Sequence, residues 1–239
     1  MTSGGEKAAL LAVQDVRKHF GGLRPLRVNA LTLGAEERLV VRGLDAGAAE
    51  AFVLLATGAS VPDEGTVTIA GRDTREIATD TEWLMSLDVF GMVTPRAVLL
   101  DQLSLEANLA LPLTLSIDPI PEDVRRAVAH LADETGLGRE RLASAVHSLS
   151  AGDRMRVHLA RALAMAPRLL VLEHATAALD AQASAAFGRT VRAILDDRRI
   201  AALAITEDDA LVDALGVPVR RLDPATGGWA GDTQRWSTW

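Results

Sequence analysis

A chain of 239 residues, 49% hydrophobic and 24% charged, has the composition of a packed globular protein, which argues against disorder. Its formal net charge of −7 argues against sequence-independent nucleic-acid binding, which relies on lysine and arginine to neutralise phosphate, and with no cysteine it has neither disulfides nor thiolate metal sites. No apolar run approaches the roughly 18–20 residues that span a bilayer, and the first seven residues lack the basic start and apolar stretch of a secretory signal, so a cytosolic location is expected.

In chain order, residues 12–16 and 38–42 are rich in apolar and β-branched side chains, and 65–70 alternates Val67 and Ile69 with threonine; these predict the strands of an N-terminal β-subdomain. From Val40 an apolar strand runs into Gly43-Leu44-Asp45-Ala46-Gly47, and a helix-favouring run over 48–56 closes near Gly58. Residues 103–138 are helical in pattern but interrupted by Pro112, Pro119 and Pro121, with Val124, Val128 and Leu131 on one face of a helix over 122–135. A helical subdomain over about 95–165 is expected. From Gly152 helix and buried strand alternate: a helix to Ala166 stopped by Pro167, a strand over 169–172, a helix over 181–196 and a strand over 200–205. That order predicts a parallel sheet with crossover helices. The tail over 225–239 carries three of the four tryptophans and is expected to pack or to be loose.

Two stretches are specific. Leu149-Ser150-Ala151-Gly152-Asp153, continuing through Arg154 to Leu163, resembles the signature segment of an ABC-transporter ATPase, and 169–180, ending Glu173-His174-Ala175-Thr176-Ala177-Ala178-Leu179-Asp180, resembles its Walker B strand and D-loop. The resemblance runs from about 12 to 209 and is nearest to the lipoprotein-release and macrolide-exporter group. It implies an α/β, P-loop NTPase-like cassette with a parallel core sheet, an N-terminal antiparallel β-subdomain and a helical subdomain, all within one nucleotide-binding domain over 1–239.

The catalytic stations depart from that pattern. A Walker A loop, G-x-x-x-x-G-K-[ST], holds phosphates on backbone N–H groups, neutralises them with lysine and binds magnesium through a hydroxyl. In that register Gly43 is kept and Gly47 lies within the loop, but the second glycine is Ala48, the lysine Ala49 and the hydroxyl residue Glu50. Glu50 brings a carboxylate to where a polyphosphate would lie; two unit charges at about 4 Å interact by roughly 4 kcal/mol at an effective dielectric near 20. Neither Lys7 nor Lys18, both ahead of the core strands, is placed to replace the missing lysine. Glu50 alternatively binds magnesium itself, or simply favours the first turn of a buried helix.

The resemblance further places Glu173 at the magnesium-holding aspartate, His174 at the general-base glutamate, Glu207 at the switch histidine and Gly91 at the Q-loop glutamine. His174 reads either as a base near neutral pH or as an inert strand-end residue. Phe20 matches the adenine-stacking aromatic or belongs to the core. No metal ligand set is expected.

What faces outward is better preserved. Ser150 and Gly152 open a helix whose N-terminus favours an anion, so Ser150 either contacts a partner cassette's γ-phosphate or acts as an ordinary N-cap. Asp180 ends a D-loop expected at the dimer seam, and 103–113 resembles the cleft for a membrane subunit's coupling helix. The implied function is a catalytically silent cassette subunit that binds no ATP in its own site, shares ATP and magnesium with an active cassette partner, and lies against a membrane-spanning permease at the inner face of the cell membrane. The alternatives are an unconventional ATPase using Glu173 and His174, and a non-transport adaptor that keeps the fold.

Overall fold

The computed structural model describes residues 9–77 and 79–230. The chain opens with β1 (Leu11–Lys18) and β2 (Leu26–Leu33), then β3 (Arg38–Arg42), α1 (Ala46–Ala56), β4 (Glu64–Ile69) and β5 (Arg72–Asp73). It continues through α2 (Asp80–Leu87), β6 (Phe90–Val93), α3 (Leu105–Ala110), α4 (Glu122–Glu134) and α5 (Ala151–Leu163). Last come β7 (Leu169–Glu173), α6 (Ala181–Arg198), β8 (Ala201–Ile205), α7 (Asp209–Leu215), β9 (Val219–Leu222) and β10 (Trp229–Ala230). Strands β2-β1-β4-β5 form an antiparallel sheet, and β10-β9-β3-β8-β7-β6 form the core sheet, parallel except for β10. The expected α/β architecture is present.

The core strands are apolar on both faces because both are covered, the condition under which parallel strands lose polar alternation. Leu39, Val41, Leu169, Val171, Ala201, Leu203 and Ile205 face α1 and the antiparallel sheet. The intervening Val40, Leu170, Leu172, Ala202 and Ala204 face a second cluster with residues of α3, α4, α5, α6 and α7. The period-2 side-chain alternation of a strand thus divides the interior into two layers around one sheet. The predicted apolar face of α4 is where it was expected, with Val128 and Leu131 buried and Val124 packed beside them.

The structure moves some boundaries. Helix α1 begins at Ala46, two residues earlier than the propensity of 48–56 suggests, because the Asp45 side chain caps it. Strand β2 was not predicted; its pattern of buried and exposed positions is interrupted by two consecutive exposed residues, Asn29 and Ala30. Helix α2 buries no side chain and so carries no apolar stripe to read. In the C-terminal tail, Trp229 packs, donating from Nε1 to the Ala30 carbonyl at 2.6 Å with Arg220 over its ring; Trp236 and Trp239 lie outside the described residues.

Candidate functional site

Ligands of open parallel sheets gather at the carboxyl ends of the strands. Here those ends bring together the loop after β3, the segment after β6, the end of β7 and the turn after β8. Glycine is required at Gly43: its φ is +91°, and a Cβ there would stand 2.2 Å from the Leu222 carbonyl oxygen. Its N–H donates to Glu207 Oε1 at 2.5 Å, and Glu207 is held in turn by Arg221 at 2.8 Å. Burial opposes the charge on Glu207, but the Gly43 N–H and the Arg221 guanidinium outweigh it and hold its carboxyl below the usual range. Two residues on, Asp45 Oδ1 accepts the Ala48 N–H at 2.8 Å. Two backbone donors of the loop that would cradle phosphate therefore already hold carboxylates of the same chain.

Ala49 is fully buried and Ala48 nearly so, which makes this stretch part of the packed interior of α1. Glu50 lies beyond the first turn, and that turn contains no acidic residue, so the expected support of the helix N-terminus comes from Asp45 instead.

Sequence reasoning missed Arg96. It follows Thr94-Pro95 in the segment leaving β6, and its Nη1 donates to Glu173 Oε1 at 2.6 Å while Nη2 bonds Oε2. Its Nε also lies 3.4 Å from Glu50 Oε1. Glu173, at the end of β7, is only 1% exposed, and a buried carboxylate without a counter-charge costs several kcal/mol. The bidentate bond to Glu173, with its charge and that of Glu50, outweighs burial and raises the Arg96 pKa above its ordinary value. No lysine supplies the cation here, since Lys18 is engaged with Val61 and Asp63; an arginine from the segment after β6 does. The readable signal was that Arg96 is the single basic residue between 94 and 104, directly after a buried strand.

The expectation for Gly91 is corrected. Gly91 is an interior residue of β6, paired with Leu170, and its Cβ would meet the Ala162 carbonyl oxygen at 2.4 Å. No side chain fits there, and the segment that reaches the site begins at Thr94.

His174 adopts a left-handed backbone, φ 43°, in the turn after β7; its N–H bonds the Ile205 carbonyl at 2.8 Å and its own carbonyl accepts from Ala177 at 3.0 Å. Its buried Nε2 has no hydrogen-bond partner among the described residues, so no group orients the ring on that side. Phe20 packs against the cluster that contains α1, near Gly22 and Gly47. It also lines, with Arg24, Asp45, Gly47 and Pro224, an open cavity of about 730 Å³.

At the other station Ser150 is the N-cap of α5, accepting the Asp153 N–H at 3.1 Å, and its hydroxyl donates to Asp153 Oδ2 at 2.7 Å. Arg141 at 3.1 Å and Arg156 at 3.0 Å pair with the same carboxylate. Burial works against the charge on Asp153, but Ser150 and these guanidiniums prevail and lower its pKa. Ser150, Gly152, Arg156, Leu179 and Asp180 line a cavity of about 280 Å³, so the signature segment and the D-loop do meet. Asp180 caps α6 through the Ala183 N–H at 2.8 Å. Asp208, unremarked in the sequence, ties the D-loop down: its Oδ2 accepts the Thr176 hydroxyl at 2.6 Å and the Ser184 hydroxyl, and its Oδ1 caps α7.

No group of three or more metal-ligating side chains occurs among the described residues, and no helix there is long and apolar enough to cross a membrane.

The profile of the ABC transporter family matches residues 46–177. The lipoprotein-releasing system ATP-binding protein LolD of Pseudomonas syringae pv. tomato is 32% identical over 181 residues, covering 76% of this chain and 79% of that protein. The macrolide export ATP-binding/permease protein MacB 1 of Aeromonas hydrophila is 30% identical over 96% of this chain, which spans only 37% of the relative's length. Among solved structures, the ATP-binding cassette MJ0796, a dimer bound to ADP and Pi, aligns with a TM-score of 0.72 at 20% identity, covering 90% of this chain and 95% of that one. At that identity the structural likeness speaks for the fold.

Proposed function

The chain belongs to the ABC transporter family, and from that premise we propose that it is a catalytically silent ATP-binding-cassette subunit. In this reading it forms one cassette-type domain, pairs with an active cassette, and rests against a membrane-spanning permease at the inner face of the cell membrane, transmitting closure without hydrolysing ATP in its own site. The observation that carries the reading is the arrangement at the strand ends. Asp45 and Glu207 take backbone N–H groups of the phosphate loop, and Arg96 sits between Glu173 and Glu50. These groups already have partners within the chain, so nucleotide or magnesium binding at them would have to break an internal contact for each one it makes.

The same geometry weighs against an ATPase built on Glu173 and His174, since Glu173 is engaged by Arg96 and His174 Nε2 has no orienting partner. A trans contribution from Ser150 requires its hydroxyl to leave Asp153 for a partner's phosphate. The relatives support a transport setting: LolD is the ATP-binding protein of a lipoprotein-releasing system, and MacB 1 is a macrolide export ATP-binding/permease protein.

Calorimetric titration of the purified full chain with Mg-ATP tests the reading. The expected outcome is no saturable binding up to millimolar nucleotide; micromolar affinity overturns it.

A further inference from the structure

The segment over 94–104 joins the end of β6 to α3, and so connects the core sheet to the helical layer packed on it. Its second half is held from the helical side. The Asn108 side chain accepts the Leu100 N–H at 2.9 Å and donates to the Leu100 carbonyl at 3.0 Å, while Arg154 pairs with Asp101 at 3.5 Å. Its first half is attached differently. Ala97 bonds back to the Thr94 carbonyl at 3.1 Å, and the Arg161 guanidinium reaches the Val98 carbonyl at 2.8 Å. The tie to the opposite side, toward the strand ends, is the Arg96 side chain, which bonds both oxygens of buried Glu173 on β7 and approaches Glu50 on α1. One guanidinium therefore joins three elements: the segment after β6, the end of β7 and the second turn of α1.

We propose that Arg96 is a positioning residue, a built-in clamp that holds the start of the 94–104 segment against β7 and α1, so that the link between the sheet and the helical layer is set without any bound ligand. The inference deepens the silent-site reading and rests on it: a site whose charges are satisfied internally has no need of nucleotide to order the segment leading out of it. Arginine suits the task because its planar fork matches both carboxylate oxygens at once, which an ammonium cannot do. Glu173 is the essential anchor, being buried and bonded through both oxygens. Glu50, half-exposed and farther away, is the minor one.

Amide hydrogen exchange on the nucleotide-free full chain tests the clamp, read at residues 96–99 against two internal references: 100–103, held by Asn108, and β8 at the centre of the sheet. Arg96→Met is expected to speed exchange at 96–99 by about tenfold or more while β8 keeps its protection, as a local opening does. Arg96→Lys should give a smaller acceleration at the same residues. Glu50→Gln, which alters only the exposed partner and threatens folding least, should give a two- to threefold one by rough expectation. Unchanged exchange at 96–99 in Arg96→Met overturns the proposal, as does acceleration of equal size in β8. Should Arg96→Met fail to fold, the ordering of Arg96→Lys above Glu50→Gln above wild type at 96–99 decides, and its absence overturns the clamp. Mg-ATP binding by wild type together with a loosened Arg96→Met would refute the silent site and leave the clamp standing; the opposite pair of results would refute the clamp alone.

Discussion

The ends of the core strands and the start of α5 are both places where the ABC family meets nucleotide, and this chain treats them differently. At the strand ends the polar groups bond to each other: Glu207 to Gly43, Asp45 to Ala48, Arg96 to Glu173. At the start of α5 the serine and one glycine are retained, yet Asp153 draws the Ser150 hydroxyl inward. The first region is held largely by contacts between elements, the second by Asp153 alone, which takes the Ser150 hydroxyl within the helix turn and pairs with Arg141 and Arg156. Replacing the first would mean undoing a network, while the second can be opened by one substitution.

The largest effect expected is at Asp208, which ties the turn after β7 to α6. Asp208→Ala strands the buried Thr176 and Ser184 hydroxyls and removes the cap of α7, and should cost about 3 kcal/mol in urea unfolding from the loss of several buried hydrogen bonds. Next comes Asp45→Ala, which should cost about 1 kcal/mol as a lost N-cap. If Asp45 stands where an anion would, inorganic phosphate should recover part of that loss in the variant and have no effect on wild type; equal effects on both would remove the distinction drawn for the strand ends.

The smallest effect is in the acid limb of stability. Glu207 and Asp153 have folded-state pKa values below their ordinary ones of 4.5 and 3.8, so each contributes stability that is present above its unfolded pKa and lost as pH falls through its folded value. Glu207→Gln and Asp153→Asn should each flatten the decline below about pH 4.5, Glu207→Gln by under about 1 kcal/mol because solvent screens that half-exposed side chain. An unchanged acid limb in Asp153→Asn would mean that Ser150 is not held by that carboxylate in solution.

Local signals in the sequence were enough for the buried strands β3, β7 and β8, for α4 and α6, and for the loop between β3 and α1, because continuous apolar runs and helical periodicity depend on near neighbours. The signature and Walker B segments were legible for the same reason, being contiguous. Gly91 does not mark the loop because β6 runs on to Val93, and the close approach of the Ala162 carbonyl that forces glycine there comes from α5, some seventy residues away in the chain. Arg96 was overlooked because nothing within 94–104 announces that its partners are Glu50 and Glu173.

The amino-acid order alone thus determined the kind of protein this is: the alternation of elements, the family resemblance and the Ala49-Glu50 pair in α1 are all written in short stretches. What becomes of the charges left behind was decided only in three dimensions. A carboxylate or guanidinium is stabilised by whatever lies within a few ångströms, and at the ends of the parallel strands those neighbours come from segments far apart in the chain, brought together by packing on both faces of the sheet.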